Sequence, residues 1–122
     1  MEPPFGRIES SAVALTALAI TVVITWPLVP QLNIGMYHPY DPPIQAWAID
    51  WVQHALTSDA RLYEANMFAP AGRSLTFSDA LLGVAVPELL ARPMGVEPIG
   101  MVNLAVILGV TANAWRRTGL VG

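Results

Sequence analysis

Two acidic residues beside apolar segments are the first candidates for chemistry in this sequence. Asp41 stands in "MYHPYDPP" and Asp79 in "FSDALL". A carboxyl group next to low-dielectric surroundings tends to have a raised pKa, which suits a general base. We therefore take Asp41 as the candidate base and Asp79 as a weaker candidate. Each also has a structural interpretation: Asp41 can cap a helix that starts near Pro43, and Asp79 can stabilise the first turn of the next helix through its dipole.

The two histidines offer further pairings with acidic residues. His38 and Asp41 could together contact a divalent cation, but two ligands do not define a metal site, so no cofactor is predicted. Asp50 and His54 lie four residues apart on a predicted helix, and this spacing more often gives a helical side-chain contact than a catalytic dyad. The sequence has no cysteine, which excludes disulfides, thiolate metal sites and cysteine nucleophiles.

The composition indicates a membrane protein rather than a soluble or nucleic-acid-binding one. Of the 122 residues, 54% are hydrophobic and only 12% are charged, against about 25% charged in an average soluble domain. The net charge is -3, and the basic residues are six scattered arginines. Because no basic patch is present, no nucleic-acid partner is predicted, and the lipid bilayer is the expected partner.

The first apolar segment, residues 11–29, reads SAVALTALAITVVITWPLV and carries no charge. As a helix it would be roughly 28 Å long, close to the hydrocarbon thickness of a bilayer. A cleaved signal peptide is the alternative, but the segment is longer than the apolar region of most signal peptides and no small-residue cleavage site follows it. Pro30 discourages further helix. A retained transmembrane helix is therefore predicted over 11–29.

The second apolar segment, residues 98–115, reads PIGMVNLAVILGVTANAW. Pro98 suits the first turn of a helix, where a backbone N–H is not needed. The small residues of this segment, together with Asn103 and Asn113, favour a face that packs against other helices rather than lipid. We predict a second transmembrane helix over 98–115.

The arginines that flank the two segments predict a topology. Arg7 precedes the first segment, and Arg116 and Arg117 follow the second. Because cytoplasmic flanks carry an excess of basic residues, 1–10 and 116–122 are predicted to be cytoplasmic and the loop 30–97 extracytoplasmic. The expected location is the plasma membrane, with more than one pass.

The loop between the segments is rich in Trp, Leu, Ala and Phe, which does not fit disorder. Helices are predicted near 43–57 and 78–92. In the first, Trp47 and Trp51 lie one turn apart and could either anchor in the membrane interface or pack against protein. Pro87 is expected to kink or break the second. The predicted fold is an all-α membrane protein with two transmembrane helices, joined by a structured outer loop with two short juxtamembrane helices.

Short motifs across most of the chain resemble the amino-terminal part of GT-C-type polytopic membrane glycosyltransferases that use polyprenyl- or dolichyl-phosphate sugars. The first apolar segment ends in "TWPL", and an acid-proline pair and "W-x-I-D-W-x-x-H-A-L" follow it. Next come "N-x-F-x-P-x-G-x-S-L-x-x-S-D-x-L-L-G" and a "P-x-G" turn before a helix with an early asparagine. The family has a long first extracytoplasmic loop with two juxtamembrane helices, as predicted here.

The resemblance implies roles for two residues. In the family an acidic residue early in this loop is the catalytic base, which deprotonates an acceptor hydroxyl for inverting attack on a sugar carried by a lipid phosphate. By position this residue is Asp41, although Pro42 follows it where the family usually has another acid. Asp79 matches a second acidic position, implied to help bind acceptor, lipid phosphate or metal. The implied donor is a polyprenyl-phosphate sugar. Apart from the resemblance, His38 is taken as a candidate substrate-binding residue.

Two interpretations of the whole chain remain open. Family members have many more transmembrane helices, and the later ones build the donor pocket. We therefore expect an amino-terminal fragment that is inactive alone and needs the missing downstream helices or a partner membrane protein. The alternative is a non-catalytic two-span membrane protein whose outer loop binds a partner.

Overall fold

The computed structural model describes residues 6–68, 70–77 and 81–118, and every regular element in these ranges is helical. The all-α class is therefore confirmed for the described residues. The elements are α1 (Arg7–Ile24), α2 (Asp41–Thr57), a 3-10 turn (Ser74–Phe77), α3 (Leu82–Ala91), a second 3-10 turn (Arg92–Met94) and α4 (Pro98–Thr118).

Helices α1 and α4 form an antiparallel pair, and α2 and α3 pack on each other and on α4. At one end of the pair the indole N–H of Trp115 donates to the Ser10 hydroxyl at 3.2 Å. At the other end the side-chain amide of Asn33 donates to the Gly95 carbonyl at 2.8 Å. The start of α1 therefore lies on the same side of the pair as the end of α4.

One described helix is long and apolar enough to cross a membrane, and it is the segment Pro98–Arg116 of α4. Only 22% of its most apolar window is buried within the protein, whereas a core helix of a soluble protein is mostly buried. The apolar part of α1, Ile8–Ile24, is shorter. One span is therefore supported by length and composition, and the second predicted span is not confirmed.

Helix α1 ends at Ile24, five residues before the end predicted at residue 29. The reason is Pro27, which has no backbone N–H and disfavours helical backbone in the residue before it, Trp26. Residues 25–34 form turns instead. The helix is broken by Pro27 rather than by Pro30.

Helix α2 begins at Asp41, two residues earlier than predicted, with Pro42 and Pro43 in its first turn. The position before the helix belongs to Tyr40, and no side chain caps the free N–H groups there. The capping role considered for Asp41 is therefore not observed. Its carboxylate instead lies in the first turn, where the helix dipole favours negative charge.

Helix α3 continues through Pro87 to Ala91, so this proline does not break it. Pro87 cannot donate to the Gly83 carbonyl, but both residues are exposed, so the missing hydrogen bond lies on the exposed face of the helix. The helix follows Leu81, which has a left-handed backbone (φ 49°). The predicted start at Ser78 and Asp79 lies outside the described residues.

Helix α4 is held at its start by two asparagines. The Asn33 side chain accepts from the Glu97 N–H at 3.0 Å, just before Pro98 opens the helix. Asn103 is fully buried and donates to the carbonyls of Leu32 and Gly35 at 2.7 and 2.8 Å. The packed face predicted for α4 therefore includes Asn103, whereas Asn113 is exposed.

The hydrophobic core lies where α2 meets α3 and α4. Ala48, Ile49 and Val52 of α2 are fully buried and pack with Ala85 of α3 and Val102 of α4. This core fixes α2 against the N-terminal part of α4, and so it fixes the position of the polar residues at both ends of α2.

Candidate functional site

The candidate base Asp41 lies at the exposed start of α2, next to His38. Its Oδ2 is 3.8 Å from the Nδ1 atom of His38, and the two side chains are 68% and 48% exposed. The Tyr40 backbone N–H donates to the same Nδ1 atom at 3.3 Å. The Nδ1 atom therefore serves as a hydrogen-bond acceptor, and its 3.8 Å separation from Asp41 Oδ2 is longer than a hydrogen bond.

This arrangement leaves the Asp41 carboxylate able to accept a proton from a bound hydroxyl. The carboxylate accepts no hydrogen bond from any described residue, and it is exposed on the first turn of the helix. The low-dielectric surroundings expected from the sequence are not provided by the described part of the chain. A ligand or a neighbouring surface would have to exclude water from it.

An apolar pocket of about 220 Å³ opens one helical turn from Asp41. Its lining includes Tyr37 and Gln45, whose side chains are joined by a 3.2 Å hydrogen bond from the Tyr37 hydroxyl to Gln45 Oε1. Gln45 follows Asp41 by four residues on the same helix and therefore lies on the same face. The walls come from α2, α3 and α4, through Ile49, Val84 and Val102 among others.

The second predicted acidic residue, Asp79, lies outside the described residues, so its distance from Asp41 is not described. Leu81, two residues later, lines the same apolar pocket. The roles proposed for Asp79 remain predictions.

A polar cluster at the junction of α2 and α3 was not predicted from the sequence. Arg92 donates to Gln53 Oε1 at 2.7 Å and to Asp50 Oδ1 at 3.0 Å, and Gln53 donates to the Ala85 carbonyl at 3.2 Å. Gln53 is buried, whereas the Asp50 and Arg92 side chains are 57% and 45% exposed. Asp50 thus pairs with Arg92, and no hydrogen bond joins Asp50 to His54 among the described residues, neither as the helical contact that was favoured nor as a catalytic dyad.

Glu88 on α3 is the one fully buried carboxyl among the described residues, and neither of its oxygens has a hydrogen-bond partner. Burial raises the pKa of this carboxyl above its ordinary value. The nearby Arg92 opposes this rise in pKa, and the negative charges of Asp50 and Glu97 add to it. The sequence signal for Glu88 was available, because it is the only charged residue in the apolar stretch "LLGVAVPELLA".

A second pocket, of about 380 Å³, lies on the other side of α2 and is lined by Trp47, Asp50, Trp51, His54 and Asn66. Both tryptophans are partly buried and pack against the hydrophobic core. The Trp51 indole N–H also donates to the Leu62 carbonyl at 2.9 Å. Packing of these tryptophans against protein is observed, and their anchoring in a membrane interface stays a prediction.

No group of three or more His, Asp or Glu side chains in the described ranges is arranged to hold a metal ion. His38 and Asp41 approach each other, but no further ligand of these types joins them.

Comparison of the chain with known protein families, with curated proteins and with solved structures found no match.

Proposed function

We propose that this chain is the base-bearing region of a polytopic membrane glycosyltransferase of the GT-C type, acting on a sugar carried by a polyprenyl phosphate. Asp41 takes the proton from the acceptor hydroxyl as that oxygen attacks the anomeric carbon. The bond between that carbon and the phosphate oxygen breaks, and the lipid phosphate leaves with its electron pair. The sugar configuration inverts, because attack occurs on the face opposite the leaving group.

The observation that carries this proposal is the position of Asp41. Its carboxylate is exposed and accepts no hydrogen bond from any described residue, and it lies one turn before Gln45, which lines the apolar pocket. An acceptor held at that pocket would cover the carboxylate and exclude water from it, which favours proton transfer. His38, 3.8 Å away, could then donate from Nε2 to another oxygen of the substrate.

The proposal includes two membrane spans, α1 and α4, with the intervening loop outside the cytoplasm. The apolar part of α1 is about 26 Å long, and a helix slightly shorter than the bilayer is accommodated by local thinning. The antiparallel packing of α1 on α4 supports a membrane hairpin. A groove of about 540 Å³ between them, lined by Ala12, Thr16, Ala17 and Ala114 among others, is open to lipid or to further helices.

That groove also favours the second candidate function, a non-catalytic membrane protein that packs on a partner. Ala12, Ala17 and Ala114 would allow close approach of another helix, between the larger valine and isoleucine side chains that also line the groove. In this case Asp41 only stabilises the first turn of α2, and Asp41→Asn leaves binding to the partner protein unchanged.

The test is sugar transfer from a polyprenyl-phosphate sugar, measured in membranes that contain this chain and the membrane proteins that co-purify with it. Asp41→Asn is expected to lower the initial rate by about 100-fold or more, the usual contribution of a general base. Asp59→Asn, at another exposed acid, is the matched control and should leave the rate unchanged. Equal rates for Asp41→Asn and the unaltered chain would show that Asp41 is not the base. Absence of transfer by the unaltered complex would favour the second candidate.

A further inference from the structure

The pocket on the far side of α2 combines two indole rings with three polar side chains. It is lined by Trp47, Asp50, Trp51, His54 and Asn66 and has a volume of about 380 Å³. Small-molecule sites are concave, have volumes of roughly 300–1,000 Å³, and place a few polar groups on a mostly apolar wall. We propose that this pocket binds a neutral pyranose ring, with the indoles against its C–H face and the polar side chains on its hydroxyls.

The indole rings are held in position without a ligand. Trp51 donates its ring N–H to the Leu62 carbonyl, and Trp47 and Trp51 both pack against the hydrophobic core. The imidazole of His54 lies against Trp51, with ring centroids 5.5 Å apart and planes tilted by 49°. A ligand therefore meets aromatic surfaces that are already fixed, and little side-chain entropy is lost on binding.

The polar side chains of the pocket have hydrogen-bond donors and acceptors that are available to a ligand. The side chains of His54 and Asn66 form no hydrogen bond with any part of the chain that the structure describes, and Asp50 uses one oxygen for Arg92. Asn66 provides both donors and an acceptor, His54 provides one of each when neutral, and Asp50 provides acceptors. A sugar hydroxyl both donates and accepts, so it can pair with any of the three.

The charge of the pocket selects a neutral ligand. Asp50 is paired with Arg92 at 3.0 Å, so its negative charge is largely compensated and a cation gains little from it. The same pairing engages the Arg92 guanidinium, so an anion gains little from it either. A wholly apolar ligand would remove water from His54, Asn66 and Asp50 without replacing their hydrogen bonds, which costs free energy. An uncharged ring with hydroxyl groups avoids this cost and needs no charged partner in the pocket.

This inference goes beyond the proposed function, because the pocket is separate from the site at the start of α2. Asp50 follows Asp41 by nine residues, which is about 14 Å along a helix axis. A monosaccharide in the pocket cannot at the same time present its hydroxyl to Asp41. The pocket would instead hold a neighbouring sugar unit, and it can do so whether or not Asp41 is a base.

The test is an NMR titration of the full chain in a polyoxyethylene detergent, which contains neither a sugar nor an ammonium group. The probes are methyl glucoside, methyl mannoside and methyl galactoside, and the observed signals are the four indole N–H resonances. We expect the signals of Trp47 and Trp51 to shift saturably, and those of Trp26 and Trp115 to stay unchanged as internal controls. His54→Ala and Asn66→Ala should each weaken the affinity about three- to tenfold, the loss expected for one hydrogen bond. Asp59→Asn is the matched control and should not alter it.

Three results would overturn the proposal. The first is no shift of the Trp47 and Trp51 signals up to the solubility limit of all three glycosides. The second is an equal shift of all four indole signals, which indicates a nonspecific effect. The third is a saturable response to tetramethylammonium with none to the glycosides, which would make the pocket a cation site. Because the His54 and Asn66 variants change exposed side chains, the remaining amide signals of each variant report whether it is folded.

Discussion

The side-chain oxygen of Asn33 occupies the space into which a β-carbon at Gly100 would project. The same oxygen accepts a hydrogen bond from the Glu97 N–H, so Asn33 holds the start of α4. Gly100 therefore permits a close approach between the turn after α1 and the first turn of α4. This contact sets how α4 meets the loop that leads to Asp41.

Gly100→Ala is expected to lower the free energy of unfolding by about 1–3 kcal/mol, the usual cost of overpacking. The new methyl group would contact both Asn33 Oδ1 and, at 3.2 Å, Val96 Cγ1. The measurement is unfolding of the detergent-solubilised chain, followed by circular dichroism. Gly109→Ala is the matched control, because no atom of the described residues lies within 4 Å of a β-carbon built there. It should raise stability by about 0.5–1 kcal/mol through its helix propensity. Changes of the same sign in both variants would contradict the close contact at Gly100.

Asn103→Ala is expected to lower the free energy of unfolding by about 1–3 kcal/mol. The variant loses both hydrogen bonds that the buried amide donates, to the carbonyls of Leu32 and Gly35. The same unfolding measurement applies, and Asn113→Ala is the control on the exposed face of the same helix. If the two variants were equally stable, Asn103 would not be the anchor of α4.

The helices could be predicted from the sequence because apolar content and proline positions are local signals. Pro98 gave the start of α4 correctly, and the Asp41-Pro42-Pro43 run gave the start of α2 within two residues. The end of α1 was placed too late, because the apolar pattern continues past Pro27 although the helix does not. A hydrophobic pattern indicates which residues avoid water. It does not indicate where the backbone hydrogen bonds of the helix end.

The contacts around the candidate sites could not be predicted in the same way. Arg92 and Gln53 are 39 residues apart, and Asn33 and Gly95 are 62 apart. Such pairings depend on how the helices pack, which no local spacing reveals. The Asp50–His54 spacing was visible in the sequence, yet the Asp50 side chain turns to Arg92 because α3 brings a cation within 3.0 Å.

Reporter fusions should place residue 57 outside the cytoplasm and the end of the chain inside it. The start of α1 and the end of α4 lie on one side of the helix pair, and the arginines flanking the pair favour the cytoplasm for that side. Alkaline phosphatase is expected to be active when fused after Thr57 and inactive when fused after Gly122. A fluorescent-protein fusion should give the opposite pattern. If both fusions reported the same side, α4 would not cross the membrane. If the pattern were reversed, the predicted orientation would be wrong.

Glu88 should make the stability of the chain fall as the pH rises through the acidic range. Burial raises the pKa of this carboxyl above its ordinary value of 4.5, so the folded chain binds its proton more tightly than the unfolded chain does. The stability that this group contributes is then fully present below about pH 4.5 and is lost as the pH rises through the higher pKa of the folded state. Glu88→Gln, which mimics the protonated acid, should be more stable than the unaltered chain at neutral pH and should lose this pH dependence. The measurement is the free energy of unfolding across the pH range, with Asp59→Asn as the exposed control. A Glu88→Gln curve parallel to that of the unaltered chain would mean that Glu88 is already ionised in the fold, with its charge compensated by Arg92.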